Sequence, residues 1–412
     1  MRTLLIAGVV SIVFCSGLAS GQSLEEKFET LRKEFEDHKK ETAASKSLLE
    51  KSGVTIKFSG RLFLDWGFFN LDSDQKKDTA FDGTEDGTEF RAVRIAASGK
   101  IHDDIDYKIQ TDMVGQDIDF KDVWIAYRGL PKGLKLKVGH HKEPFSLEQL
   151  NSARFLNFME RSVMDALVPG RNTGFSVSGT CADEMINWAA GVFRDVSDSG
   201  SGQDNGKLSV TARVSASPVY DDDGRTVVHV GGAASFRNPN DSGKAFATEP
   251  EAHLADDFVD TGALNADEIT LLGAEAAVVL GSFSAQAEYV YADVDLATGS
   301  DPSFMGYYGQ VSYFLTGETK NYSRSKGTFG RVKPINNIFE GDCGCGAWEL
   351  VGRVSNLDLT DSGVSGGELM NYGAGVNWYW NPNARVMCNY IVADLDGFGP
   401  ADIFQMRFQI DF

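Results

Sequence analysis

Between Thr319 and Pro334 the chain carries Lys320, Arg324, Lys326, Arg331 and Lys333 with no acidic residue among them. Ammonium and guanidinium groups at this density do one kind of chemistry well, which is to hold anions. In an effective dielectric near 20, one unit charge about 4 Å from another is worth roughly 4 kcal/mol, several times its value in bulk water. Two or three such groups offset part of an anion's dehydration, and several moderate sites in sequence bind without trapping. A second basic set, Lys142, Arg154, Arg161 and Arg171, is interleaved with Glu143, Glu148, Glu160 and Asp165. That segment is neutral by count, and its charges serve either an anion or salt bridges to a neighbouring wall.

Bond-making chemistry is not indicated. The six His include none in a Ser/His/Asp arrangement, so no catalytic residue, cofactor or enzymatic activity is assigned. His140 and His141 are adjacent, point to opposite faces of a strand and so cannot hold one metal ion together. Cys343 and Cys345 flank Gly344 and either close a strained bridge, pair with Cys181, or stay as thiols; Cys388 falls within a strand and packs. Asp and Glu outnumber Lys and Arg by 59 to 39, a formal charge of −20. This excludes nucleic acid as a partner, since phosphates are met by a basic face. The same total says little about ion preference, because ions sample a constriction and not the protein average.

The elements that must position these groups are strands. From Val54 to Phe412 the pattern has period two, in runs separated by Gly, Asp, Asn and Ser. In the last run Phe404, Met406, Phe408, Ile410 and Phe412 share one face and Gln405, Arg407, Gln409 and Asp411 the other. Strands are expected at 55–69, 89–98, 105–114, 119–128, 134–140, 171–180, 186–194 and 207–217. Eight more follow at 226–236, 268–280, 283–293, 305–316, 346–355, 369–380, 384–394 and 402–412. Sixteen is an even count, as single-chain membrane barrels require, and a barrel of that size encloses an aqueous channel. Trp378-Tyr379-Trp380, Tyr289 with Tyr291, and Tyr307-Tyr308 are expected in aromatic girdles facing membrane lipid.

Residues 1–21, with Arg2, an apolar run from Leu4 to Leu18 and small residues at Ala19 and Gly21, read as a secretory leader. Residues 22–52 read as helix, with Leu24, Phe28, Leu31, Phe35, His38, Thr42, Ser45 and Leu49 at heptad spacing. This helix is either a short periplasmic coiled coil or an amphipathic helix lying on its own barrel. The barrel occupies 53–412. Threading it from a periplasmic start puts 70–88, 141–170, 195–206, 237–267, 294–304, 356–368 and 395–401 outside. The turns 181–185, 281–282 and 381–383 fall inside and are short, but 317–345 also falls inside and is long. That insertion is either a solvated periplasmic loop or a segment folded back into the lumen.

Several stretches carry a family resemblance. Val138-Gly139-His140-His141-Lys142-Glu143-Pro144-Phe145-Ser146-Leu147-Glu148, continuing to Phe158-Met159-Glu160-Arg161-Ser162 and Leu167-Val168-Pro169-Gly170-Arg171, resembles the phosphate-selective porin O and P family. Ser312-Tyr313-Phe314-Leu315-Thr316-Gly317-Glu318, Phe329-Gly330-Arg331-Val332-Lys333-Pro334 and Gly346-Ala347-Trp348-Glu349-Leu350 look like its later signature. The resemblance implies a homotrimeric, sixteen-stranded channel in the outer membrane of a Gram-negative-type envelope, surrounded by lipid and passing small anionic solutes. It also implies that the third extracellular loop and a long periplasmic loop enter the lumen and present basic residues to phosphate. The connection 237–267 departs from that chemistry, holding Asp241, Glu249, Glu251, Asp256, Asp257 and Asp260 against Arg237 and Lys244. A general or cation-preferring porin, or a mainly structural barrel, are the alternatives.

Overall fold

The structure is a computed structural model that describes residues 52–412 apart from 116–117, 198–199, 201, 203–206, 240–242 and 341–343, together with Glu29, Arg32, Lys33 and Asp37. Those four are helical, with Glu29 and Arg32 paired at 3.6 Å. Residues 1–21, expected as a leader, and the heptad positions from Leu24 to Leu49 lie outside the described residues. From Ile56 onward the chain is one compact unit.

Sixteen antiparallel strands close into a barrel, each bonded to its sequence neighbour and the last to the first. They are β1 Lys57–Asn70, β2 Gly87–Ile101, β3 Ile105–Asp112, β4 Asp119–Tyr127, β5 Lys135–Lys142, β6 Arg171–Cys181, β7 Ile186–Arg194 and β8 Ser209–Asp221. The rest are β9 Thr226–Arg237, β10 Ala266–Leu280, β11 Phe283–Leu296, β12 Ser303–Phe314, β13 Ala347–Asp361, β14 Val364–Asn381, β15 Ala384–Leu395 and β16 Gly399–Asp411. Every expected strand is present. Closure sets Arg61 against Asp411 and Asn70 against Asp402, and the Phe412 backbone exchanges two hydrogen bonds with Gly60. No edge is left to pair with another chain.

One expected loop is instead strand. Over 356–368 the ladder of β13 and β14 continues to Asp361 and Val364, turning at Ser362 and Gly363, both with positive φ, as a two-residue hairpin turn demands. The polar residues there and a register shift between Asp358 and Thr360 hide the alternation. The faces are as the pattern of β16 requires: Phe404, Phe408 and Ile410 are exposed on the outer surface, while Gln405, Arg407, Gln409 and Asp411 are buried within. The girdle expectation needs correction at Tyr308 and Tyr379. Each is buried on the inner face and donates to a carboxylate, Tyr308 to Glu288 and Tyr379 to Glu349. Neighbouring residues on a strand cannot both face lipid.

The barrel is partly filled. Residues from three connections, including Leu71, Phe81, Phe145, Met164, Phe246 and Phe258, bury against inner-wall Ile269, Phe304, Leu357 and Ile403. Each such side chain contributes about 1.5–3 kcal/mol relative to exposure. From the short-turn end, the connection between β12 and β13 sends in a small hairpin, Tyr322–Ser323 with Thr328–Phe329. Tyr322 and Phe329 bury against Leu147, Val227 and Val279.

Candidate solute channel

The connection between β5 and β6 crosses the lumen, and its path is fixed by buried carboxylates. Ser146 caps a one-turn helix, Leu147–Leu150, by accepting from the Gln149 N–H at 3.1 Å. The N–H groups of Leu147 and Glu148 donate to Glu288 on β11 at 2.8 and 2.7 Å. Glu143 accepts from Arg237 of β9 and from Asn172. Glu148 accepts from Ser162 and faces Arg353 of β13 at 3.5 Å. Arg353 also grips Glu251, which reaches in from the connection between β9 and β10. Further along, Glu160 accepts from Arg91 at 3.0 Å and Arg407 at 2.7 Å, and Glu349 accepts from Asn157 at 3.1 Å. The wall makes room for the loop at Gly373, where a Cβ would stand 3.0 Å from the Phe158 ring. The acidic groups are thereby spent mostly on holding the loop against the arc from β6 to β16, with Arg91 of β2 as the exception.

The opposite arc, formed by β1 to β5, borders a cavity of about 510 Å³. Arg61, Arg91, Arg94, Lys108, Lys135, Lys137, Lys142, Arg154, Arg161, Arg171, Lys326 and Arg407 line it, against Asp122 and Glu160 alone among carboxylates. Some of this charge is paired: Lys108 and Arg171 hold Asp122 at 2.5 and 2.9 Å, and Arg94 holds Asp112 at 2.5 Å. Lys142 and Arg161 donate to the backbone carbonyls of Gln149 and Asn151; Lys142 has no carboxylate in ion-pair contact among the described residues, whereas Arg161 also stands 3.9 Å from Asp165. Arg61, Lys137, Arg154 and Lys326 have no carboxylate in ion-pair contact among the described residues. Arg61 even faces Arg94 across the ladder, a pairing that costs stability and is eased by Asp112.

The profile of the family described as phosphate-selective porin O and P matches residues 56–412. The chain belongs to that family. It is 27% identical over 404 residues to Porin O of Pseudomonas aeruginosa, covering 87% of this chain and 88% of that one. It is 29% identical over 356 residues to an uncharacterized protein of Caulobacter vibrioides, covering 84% of this chain and 70% of that one. In fold it resembles the anion-selective porin from Comamonas acidovorans, with a TM-score of 0.54 and 10% identity over 87% of this chain and 100% of the other.

Within this porin, the residues singled out from sequence fall into two groups. Lys142, Arg154, Arg161, Arg171 and Lys326 come together around the cavity. The other four do not line it. Lys320 is buried, donates to Asn157 and lies 4.8 Å from the Phe329 ring centroid, so it fastens the two lumen segments to each other. Burial pushes its ammonium down to about 8, against the pull of Glu349. Arg324 stacks on Tyr220 at 5.5 Å. Arg331 pairs with Asp411 and donates to the Pro382 carbonyl beside a short turn, and Lys333 is exposed. Sequence reasoning missed the wall cations Arg61, Arg91, Arg94, Lys108, Lys135 and Lys137. The available signal was their clustering on the polar face of four of the first five strands.

His141 borders the cavity, donating from Nδ1 to the Gly139 carbonyl and pairing through Nε2 with the Ser176 hydroxyl, while His140 meets Thr173. No metal-holding cluster occurs among the described residues. Cys181 and Cys345 are exposed free thiols and Cys388 is half-buried; Cys343 lies outside the described residues.

Asp165, beside the cavity-lining Arg161, is expected to make the cavity respond to pH. Although a quarter of its side chain stays accessible, burial pushes its carboxyl up to about 6, opposed by Arg161 at 3.9 Å. Below that pH the carboxyl is neutral and Arg161 loses its counter-charge, so the cavity becomes more positive. Anion preference is expected to rise as pH falls from 7.5 to 5, and Asp165→Asn should flatten the step. A parent reversal potential independent of pH over that interval would refute this.

Proposed function

We propose that this porin is an outer-membrane diffusion channel that prefers small hydrophilic anions, with phosphate and polyphosphate as the candidate class. The observation that carries this reading is the cavity itself, where twelve Lys and Arg side chains meet two carboxylates. Low-dielectric walls focus such a field and raise the local anion concentration. The general or cation-preferring reading draws on Asp256, Asp257 and Asp260 of the 237–267 connection, which would enrich cations at the long-loop end. A single-channel reversal potential in a KCl gradient separates the two. Anion preference, with current reduced by added phosphate, is the expected result, and a cation-selective potential would reverse the assignment.

The same reading takes the functional unit to be a trimer whose 22–52 helices associate in the periplasm. Its support is the heptad seam and the family's resemblance, and so few heptads are marginal alone. Deleting 23–52 is expected to weaken the trimer without abolishing it. A native mass corresponding to one barrel for the full-length protein would remove the trimer from the proposal.

A further inference from the structure

Trp124 is, like Phe69 and Tyr220, a large aromatic side chain of the inner wall that is only partly covered. Phe63, Phe193, Phe304 and Phe314 are all buried, whereas Trp124 borders the cavity half-exposed. Leaving indole surface against a water-filled lumen sacrifices hydrophobic free energy that a covered or polar residue would keep. Two ammonium groups lie over the ring, Lys135 Nζ at 5.4 Å and Lys137 Nζ at 5.1 Å from its centroid; Lys135 is also paired with Asp106 at 3.4 Å, so Lys137 is the one without a carboxylate in ion-pair contact among the described residues. Both belong to β5 and both line the same cavity, so they converge on the indole from that strand's side. On its other flank Lys108 of β3 stands opposite in register, its charge already held by Asp122 at 2.5 Å.

To a bare inorganic anion the indole beside these cations adds nothing beyond the charges themselves. It suits a solute with two parts, a flat ring to lie on the indole and an acidic group to meet the ammoniums. Offset stacking supplies attraction beyond the area covered, and the lysines are placed where the acidic group would project. We infer that Trp124 is a binding platform for ring-bearing organic anions, and that this channel passes small phosphate esters or carboxylates of cyclic compounds in preference to their acyclic counterparts. The inference rests on the anion-preferring reading and specifies its solute class.

Phenyl phosphate and methyl phosphate share a headgroup and differ in the ring, so half-blocking concentrations in planar bilayers separate the two contributions. For the parent channel phenyl phosphate is expected to block at roughly five- to tenfold lower concentration than methyl phosphate. Trp124→Ala should erase that advantage while leaving methyl phosphate within about twofold of the parent value, and Trp124→Phe, which keeps a ring, should retain part of it. Equal blocking by the two esters in the parent would overturn the inference. So would equal weakening of both by Trp124→Ala, which would make the indole a positioning residue for Lys135 and Lys137. A cation-selective reversal potential in KCl alone would instead mark the failure of the anion-preferring reading beneath it.

Discussion

Replacing Arg61, Lys137, Arg154 and Lys326 together by Gln should turn the reversal potential of the channel strongly toward cations. These four cations line the cavity without a carboxylate partner among the described residues, so their field is uncancelled. At about 8 Å and an effective dielectric near 20, each is worth roughly 2 kcal/mol to a monovalent anion before screening. Allowing for salt, the four together should lower the anion-to-cation permeability ratio by at least about tenfold at low ionic strength, and by much less in 1 M KCl, where the screening length is near 3 Å. The comparison set is Lys320, Arg324, Arg331 and Lys333, equal in charge but absent from the cavity lining. Neutralising those is expected to leave the ratio within about twofold, since their charges are remote from the lining or compensated. Equal effects from the two sets would show that total charge, and not the cavity, sets selectivity.

Arg353→Met should produce the largest structural effect. The guanidinium is almost fully buried between Glu148 and Glu251, donates to the Glu160 carbonyl at 3.1 Å and sits 4.2 Å from the Phe158 ring centroid. Removing it leaves two carboxylates in the interior without their cation, a change that costs about 3–5 kcal/mol. Burial already pushes the Glu251 carboxyl up, with Arg353 pulling the other way. The expected outcome is a loosened lumen loop, seen as noisier and larger single-channel currents and a lower temperature for loss of the folded band on gels. Adding Glu148→Gln and Glu251→Gln should recover much of the loss, because a neutral trio of similar volume need not be less stable than the ionic one. If the single variant conducted and melted like the parent, the loop would be held by its apolar contacts and not by this cluster.

The strands were legible because lipid on one side and water on the other impose period two, and closure adds no exception to it. Ser362-Gly363 was not, since a polar pair inside a continuing ladder looks like a loop until its turn geometry is seen. The candidate site was half legible. Lys326 and Arg154 announce themselves as basic residues on segments too long for simple turns. Lys320 and Arg331 carry the same signal but spend their charge on Asn157 and Asp411, and a count of charges cannot tell a fastening from a field. Arg61, Lys108 and Lys137 are each one polar residue in an alternating run. Only the curvature of the wall gathers them into one arc.

The division of labour between the two arcs of the wall bears on how such a channel changes over time. The cations that hold the lumen loop, Arg353, Arg407 and Arg237, have buried acidic partners, and altering any of them endangers assembly. Arg61, Lys137, Arg154 and Lys326 hold no carboxylate among the described residues, so their replacement leaves no buried charge stranded. Ion preference can therefore drift by single substitutions along one side of the pore while the scaffold stays under separate constraint. Relatives that keep the anchoring set and vary the other would form a graded series of filters on a common frame.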